Sequence, residues 1–343
     1  MKPGGTRSWR AGALALAAAI ATTPVTASFH AEPRNPKSHQ SSGQSLARLE
    51  RFEYSQVHMG MPVRIVLYAP AEPAARAAAI RAFARIASLD AEMSDYRPDS
   101  AISEVSRRAP APVRVSADFI EVMGRAIEIA RLTGGAFDPT IAPVVALWRE
   151  ARKTGRLPDA AALDRARALV GWRQIALDRE QRTIRLTRSG MTLDLGGIAK
   201  GYIIQAALEA LQLDGVRRAM VEAGGDVVAG DPPPGSPGWR IELPAAAHLP
   251  SAFVASASAL SNRALSTSGP AMQGVEIGGV RYSHVIDPGT GRPLTDAVSA
   301  HVIDDDAARA DALATTATVL GTLGLADLRA RFPRARIELV APR

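Results

Sequence analysis

Cysteine is absent from all 343 residues, which excludes disulfide cross-links and lipid attachment at a processed cysteine. Lysine is scarce: Lys2, Lys37, Lys153 and Lys200 are the four among 41 basic residues. Arginine is the default cation, so each lysine asks for a reason. Long apolar runs are lacking too. AGALALAAAIA (residues 11–21) is about half of what a membrane-spanning helix needs. Nor is charge concentrated: the formal net charge is +7, but the arginines are scattered, which reads as a solvated basic surface rather than a nucleic-acid footprint. No repeat of fixed period is present.

What stands at the start of the chain is ordered by type. Lys2, Arg7 and Arg10 precede the apolar run, and Pro24 and Val25-Thr26-Ala27 follow it. A basic start, a short hydrophobic stretch and a small-x-small pattern are the layout of a secretory signal peptide over residues 1–27. No twin arginine precedes the run. Export to the periplasm is expected; an uncleaved N-terminus anchored in the inner membrane is the alternative. Residues 28–50 are polar, with Pro, Ser and Gln and no apolar period, and read as a flexible linker. The folded body is expected over 51–343, long enough for a substantial core in one large domain or two closely joined lobes.

Within the body, Phe52–Met59 and Pro62–Tyr68 read as strands, the second alternating Val63, Ile65 and Leu67 against Arg64 and Val66. Glu72–Met93 reads as a helix, with Ile80, Phe83, Ile86 and Leu89 three apart on one face. Ala117–Leu132 follows Ser116, an N-cap residue, and ends at Gly134-Gly135. A short helix is expected at Asp159–Val170, then a hairpin of Arg173–Leu177 and Thr183–Thr187 leading to a strand at Thr192–Leu195. Ile203–Leu213 reads as a helix. Strands are expected at Arg218–Glu222, Asp226–Ala229, Trp239–Leu243, Phe253–Ala259, Arg281–Ile286 and Val298–Ile303. A long helix at Ala307–Leu323, a short one and a last strand at Arg336–Val340 complete the reading. Strands and helices without a steady βαβ rhythm indicate an α+β fold, with mixed sheets and flanking helices.

The segment DLGGIAKGY (Asp194–Tyr202) carries the most chemistry. Glycines allow close backbone approach, and a helix starting there aims free N–H groups and a positive dipole end at the turn. A phosphate is the natural occupant, with Lys200 as a compact counter-charge. The residue order is neither that of a Walker loop nor GxGxxG. Farther on, Asp311 and Thr315 stand four apart on one helix face. With a backbone carbonyl from the glycine turn they make a set of hard oxygen donors suited to Mg²⁺; no His or Cys is placed for zinc. Each feature also has an ordinary explanation: a surface lysine, an Asp that helps a helix dipole, a Thr that packs. Five more loops stand out: MSDYRPDS (93–100), GGAFDPTIAP (134–143), VEAGGD (221–226), ALSTSG (264–269) and YSHVIDPGTGRPL (282–294). Taken singly, Asp-Pro and Gly-Thr-Gly are turn makers, Gly224-Gly225 suits a bulge or tight turn, and His284 suits a core histidine. A serine hydrolase built on Ser268 and His284 is remote, because no nucleophile elbow surrounds that serine.

In their order, MSDYRPDSAIS, GAFDPTIAP with Trp148 after it, DLGGIAKGY, VEAGGD with Trp239-Arg240-Ile241, STSG, HVIDPGTGRP and ADALATTATVLG together resemble the signature of the ApbE family of FAD:protein FMN transferases. The resemblance spans about Met59 to Gly321. It implies an α+β flavin transferase fold and a Mg²⁺-dependent transfer of FMN from FAD to a Thr or Ser hydroxyl of a partner flavoprotein, with AMP released and a phosphoester formed. It further implies flavin contacts at Met59, Tyr96, Ala136, Phe137, Asp138, Asp194, Lys200 and Ile286, the last through its backbone. Metal ligation would fall to the carbonyl of Gly197, the carboxylate of Asp311 and the hydroxyl of Thr315. Ala314 departs from members that carry a carboxylate there. His284 is the candidate base for the acceptor hydroxyl. A Mg²⁺-dependent FAD pyrophosphatase, with water as acceptor, uses the same site; a non-catalytic periplasmic flavin-binding protein would keep the pocket without the metal set.

Overall fold

The computed structural model describes residues 48–243, 248–269, 274–295 and 298–340. The expected signal peptide (1–27) lies outside them, as does most of the expected linker (28–50), whose last residue, Glu50, already belongs to a strand. β1 (Glu50–His58) and β2 (Met61–Ala69) form a hairpin joined by Met59 (φ 51°) and Gly60 (φ 72°). Two successive positive φ values give the tight connection that matches strand twist. α1 (Glu72–Met93), α2 (Ala101–Arg108), β3 (Val113–Arg114) and α3 (Ala117–Leu132) follow. α2 and α3 start where Ser100 and Ser116 accept from the N–H groups of Ser103 (3.2 Å) and Phe119 (3.0 Å). Next come α4 (Ala142–Thr154), stopped by Gly155 at φ 65°, and α5 (Ala160–Arg167), capped by Asp159. β4 (Ile175–Asp178), β5 (Thr183–Leu186), α6 (Ala199–Leu213), β6 (Ala219–Ala223) and β7 (Asp226–Ala229) lead to α7 (Ser251–Ala257) and β8 (Arg263–Ser268). β9 (Gly274–Ile277), β10 (Val280–Ser283), β11 (Ile286–Asp287), β12 (Arg292–Pro293), β13 (Ser299–Asp304), α8 (Ala307–Arg331) and β14 (Arg336–Val340) end the chain.

The principal sheet has seven strands in the order β1-β2-β6-β7-β8-β13-β14, each described pairing antiparallel. One face carries the main core, in which Val63, Ile65, Leu67, Ala300 and Val302 pack with apolar residues of α1, α3, α6 and α8. The opposite face is covered as well: Val66, Met220, Leu265 and Ile303 meet Trp239, Leu249 and Phe253. Val66, expected on the polar side of its strand with Arg64, faces this second core. A third apolar cluster joins α4 and α5 to β9 and β11 through Trp148, Leu163, Ile277 and Ile286. β3, β5 and β4 form a small separate sheet. The described residues make one compact unit. Among the described residues no helix is long and apolar enough to cross a membrane.

Several expectations are corrected. Phe253–Ala259 is not a strand but falls largely in α7, where Phe253 and Ala257, four apart, are the buried pair. The small, evenly apolar residues of that run carry little period, and Pro250 before it favours a helix start. Ile80 does not share the buried face of Phe83, Ile86 and Leu89; it is exposed. A strict spacing of three drifts off a 3.6-residue helix, and Ala75, Ala78, Ala79 and Ala82 fill the buried stripe instead. Thr192–Leu195 and Trp239–Leu243 are not strands, although Trp239 makes one bridge to Leu260. ALSTSG, read as a loop, lies mostly within β8. The last long helix does divide as expected, at Gly321 (φ 59°).

Candidate active site at one end of the sheet

The glycine turn before α6 has no cap of its own: Ile198 precedes the helix and offers no side-chain acceptor. The acceptor comes from α8. Asp311 Oδ2 takes the N–H of Gly201 at 3.0 Å, so a carboxylate 110 residues away closes the helix N-terminus. Gly201 is required for that approach, because a Cβ there would lie 2.1 Å from the carbonyl oxygen of Ala307. One turn along α8, Thr315 presents its hydroxyl to Gly197: a Cβ at Gly197 would stand 3.2 Å from Thr315 Oγ1 and 3.2 Å from the Phe137 ring. Gly197, Phe137 and the Asp311–Thr315 turn of α8, three stretches far apart in sequence, therefore meet.

Lys200 enters the same cluster, but not as a free counter-charge. Its ammonium is paired with Asp226 and lies 4.0 Å from Asp311 Oδ1. Asp226 begins β7 directly after the Gly224-Gly225 turn (φ 55° and 92°), and its other oxygen accepts from Ser266 Oγ (2.6 Å) and the N–H of Thr267 (3.2 Å) on β8. Burial opposes the Lys200 ammonium, but Asp226 and Asp311 outweigh it and hold its pKa above the ordinary value. Asp311 is pushed up to about 7, chiefly by burial and then by repulsion from Asp226, against the pull of Lys200 and the Gly201 N–H. Among the described residues no group of three or more His, Cys, Asp or Glu side chains is placed to hold a metal. A cation would rest instead on Asp311, the Thr315 hydroxyl and backbone oxygen at Gly197. Those donors fit Mg²⁺, which binds few carboxylates and keeps its waters.

The remaining expected positions surround this cluster to different degrees. Asp194 sits in the glycine turn; its Oδ1 accepts from Gly196 at 2.7 Å, and burial, then Asp95, raise its pKa despite Arg149 at 3.6 Å. Tyr96 is exposed, with the Arg149 guanidinium 4.5 Å from its ring centre. Arg149 also donates to Asp95 at 2.5 Å, which ties the DYRP loop to the DLGG turn. Ala136 lies in the loop after α3 and donates its N–H to Thr133 at 3.3 Å. Asp138 is fully engaged within the protein, accepting from Thr140 N (2.9 Å), Thr140 Oγ1 (2.6 Å) and Trp172 N (3.0 Å). Its carboxylate holds the loop in shape. Met59 lies in the β1–β2 turn, its N–H given to Asp90 at 2.9 Å; the neighbouring Met61 touches the Gly224 turn. His284, partly buried, lies between β10 and β11, a stretch tied to α4 by Arg152, which donates to the carbonyl of Ser283 at 3.4 Å. Ile286 buries its side chain in the third core while its backbone pairs with Pro293.

Asp226 and Arg149 were missed as single residues. VEAGGD stands out as a motif in the sequence, yet only the sheet shows that its last carboxylate is buried against Lys200. Arg149 is one arginine among many, and its one signal was its position beside Trp148.

A buried carboxylate–ammonium–carboxylate cluster thus lies at a glycine turn where an antiparallel sheet meets two helices. A sequence profile of the ApbE family matches residues 59–336. The chain belongs to the ApbE family. A FAD:protein FMN transferase of Treponema pallidum is 31% identical over 315 residues, with 86% of each chain covered. One from Vibrio cholerae is 36% identical over 239 residues, covering 67% of this chain and 69% of that one. Among solved structures, an ApbE protein of Thermotoga maritima superposes with a TM-score of 0.74 at 27% identity, over 85% of this chain and 94% of its own. The flavin transferase ApbE of Vibrio cholerae gives 0.73 at 29%, over 86% and 95%.

Proposed function

We propose that this chain moves FMN from FAD to a Thr or Ser hydroxyl of a partner flavoprotein, with Mg²⁺ as cofactor. The observation that carries the reading is the convergence of Gly197, Lys200, Asp311 and Thr315 at one helix start, in a chain related along most of its length to proteins named for that reaction. Asp311, Thr315 and Gly197 would hold the ion, which when bound withdraws charge from the diphosphate. Transfer of this kind is mostly positioning and charge stabilisation, so little covalent machinery is needed.

The acceptor hydroxyl oxygen forms the new bond to the FMN phosphorus as the bond from that phosphorus to the AMP oxygen breaks. Its proton goes to His284, and AMP leaves with the electron pair. Tyr96, stacked on Arg149, offers an exposed aromatic face for the flavin ring. Residues 1–27 are proposed to direct the chain to the periplasm.

Purified protein incubated with FAD, Mg²⁺ and a candidate flavoprotein is expected to yield an FMN-sized mass increase on the acceptor together with AMP. EDTA is expected to abolish both, and Asp311→Ala to remove stimulation by Mg²⁺ along with activity. Free FMN without adduct formation would establish a pyrophosphatase in place of a transferase.

A further inference from the structure

Lys200 stands beside the carboxylate that would take a cation. The ammonium lies 4.0 Å from Asp311 Oδ1, one short side-chain adjustment from a direct ion pair. In that pair Lys200 would occupy an oxygen of the one carboxylate in the expected ligand set. The closer partner of the ammonium is Asp226.

Asp226 is built for that task. It is almost wholly buried, with 2% of its side chain exposed, and it is held by partners other than Lys200 as well. Oδ1 is taken by Ser266 Oγ and the N–H of Thr267, both on β8 of the central sheet, which leaves Oδ2 for the lysine alone. The Gly224-Gly225 turn, with both φ values positive, sets the carboxylate at the sheet end where α6 begins. Two carboxylates face one ammonium, and the close pair is with Asp226, while Asp311 stays at 4.0 Å.

We propose that Asp226 is a positioning residue that occupies the Lys200 ammonium and so keeps Asp311 open to the cation. This rests on the cation reading above and assigns to the buried sheet residue a control over metal affinity. With Asp226 neutral, Lys200 turns to Asp311 and excludes the ion. Removing Lys200 then restores access, because the competitor itself is gone.

The test is direct binding of Mn²⁺, followed by the electron paramagnetic resonance of the free ion, on full chains without FAD. Circular dichroism and thermal melting accompany each variant. Asp226→Asn keeps the acceptor for Ser266 and Thr267 and removes the charge. Its dissociation constant for Mn²⁺ is expected to rise at least about tenfold, while the double variant Asp226→Asn/Lys200→Met returns to within about threefold of wild type. Asp226→Glu is expected to recover most of the affinity. A residue with a merely structural role would lower the melting temperature without reversal of binding by Lys200→Met. The proposal is overturned if folded Asp226→Asn binds Mn²⁺ as wild type does, or if the double variant stays as weak as the single. A wild-type chain that binds no Mn²⁺ overturns the cation site and this inference with it.

Discussion

His284 and His301 are the two histidines whose surroundings say most, and they differ in kind. His284 lies partly buried in the stretch between β10 and β11 that Arg152 ties to α4. As the proposed base it would supply about 10²–10⁴-fold of the rate. His284→Ala is expected to lose transfer by that order while FAD titration remains near wild type; unchanged rates refute the assignment. His301 is a core residue, 1% exposed, with Nδ1 at 3.1 Å from Thr267 Oγ1 and Nε2 buried without a partner among the described residues. Burial lowers its pKa below the ordinary 6.5. Above 6.5 both folded and unfolded chains hold it neutral, and it has no effect on stability. Below 6.5 the unfolded chain takes up a proton that the folded chain resists, so stability falls with pH until the depressed folded pKa is reached. Melting curves from pH 7 to pH 5 are expected to show His301→Gln losing less stability than wild type over that range.

At the scale of elements, the site is a contact between two helix segments. α6 is started by a carboxylate of α8, and α8 comes close enough only because Gly201 has no side chain. Gly201→Ala places a methyl 2.1 Å from a backbone oxygen that cannot rotate away. The helices must separate, at a cost of about 1–3 kcal/mol or more. Chemical denaturation is expected to show that loss, accompanied by weaker Mg²⁺ stimulation, since Asp311 moves with α8. α4 acts as a second organiser: Trp148 donates to the carbonyl of Gly291 (2.9 Å), Arg149 holds Asp95 and Tyr96, and Arg152 holds Ser283. Three residues of one helix, within the stretch 148–152, thereby fix loops that are separate in sequence.

For the whole molecule, residues 1–27 predict export. Expression in a Gram-negative host is expected to release a mature chain by osmotic shock, with its N-terminus near residue 28. A full-length product in the membrane fraction would point to the uncleaved anchor. Much of the body was legible from sequence: α1 and α3 carry the ends read from Ser116 and the apolar spacing, and β7 and β14 match residue for residue. Capping, turn glycines and alternation are local effects, written over a few neighbouring residues. The failures fall where local signals are weak, as in the small-residue run of α7. Motif order likewise carried the family and the candidate residues. Burial was not legible, since it depends on what the far side of the sheet packs against; Val66 and Ile80 exchanged their expected places for that reason. The sequence alone determined which chemical groups are present and their order along the chain. Only the tertiary structure decided that Lys200 answers to Asp226 and that Asp311 caps the helix of Gly201. Charges more than twenty and a hundred residues apart acquire a common pKa environment only when water is removed from between them.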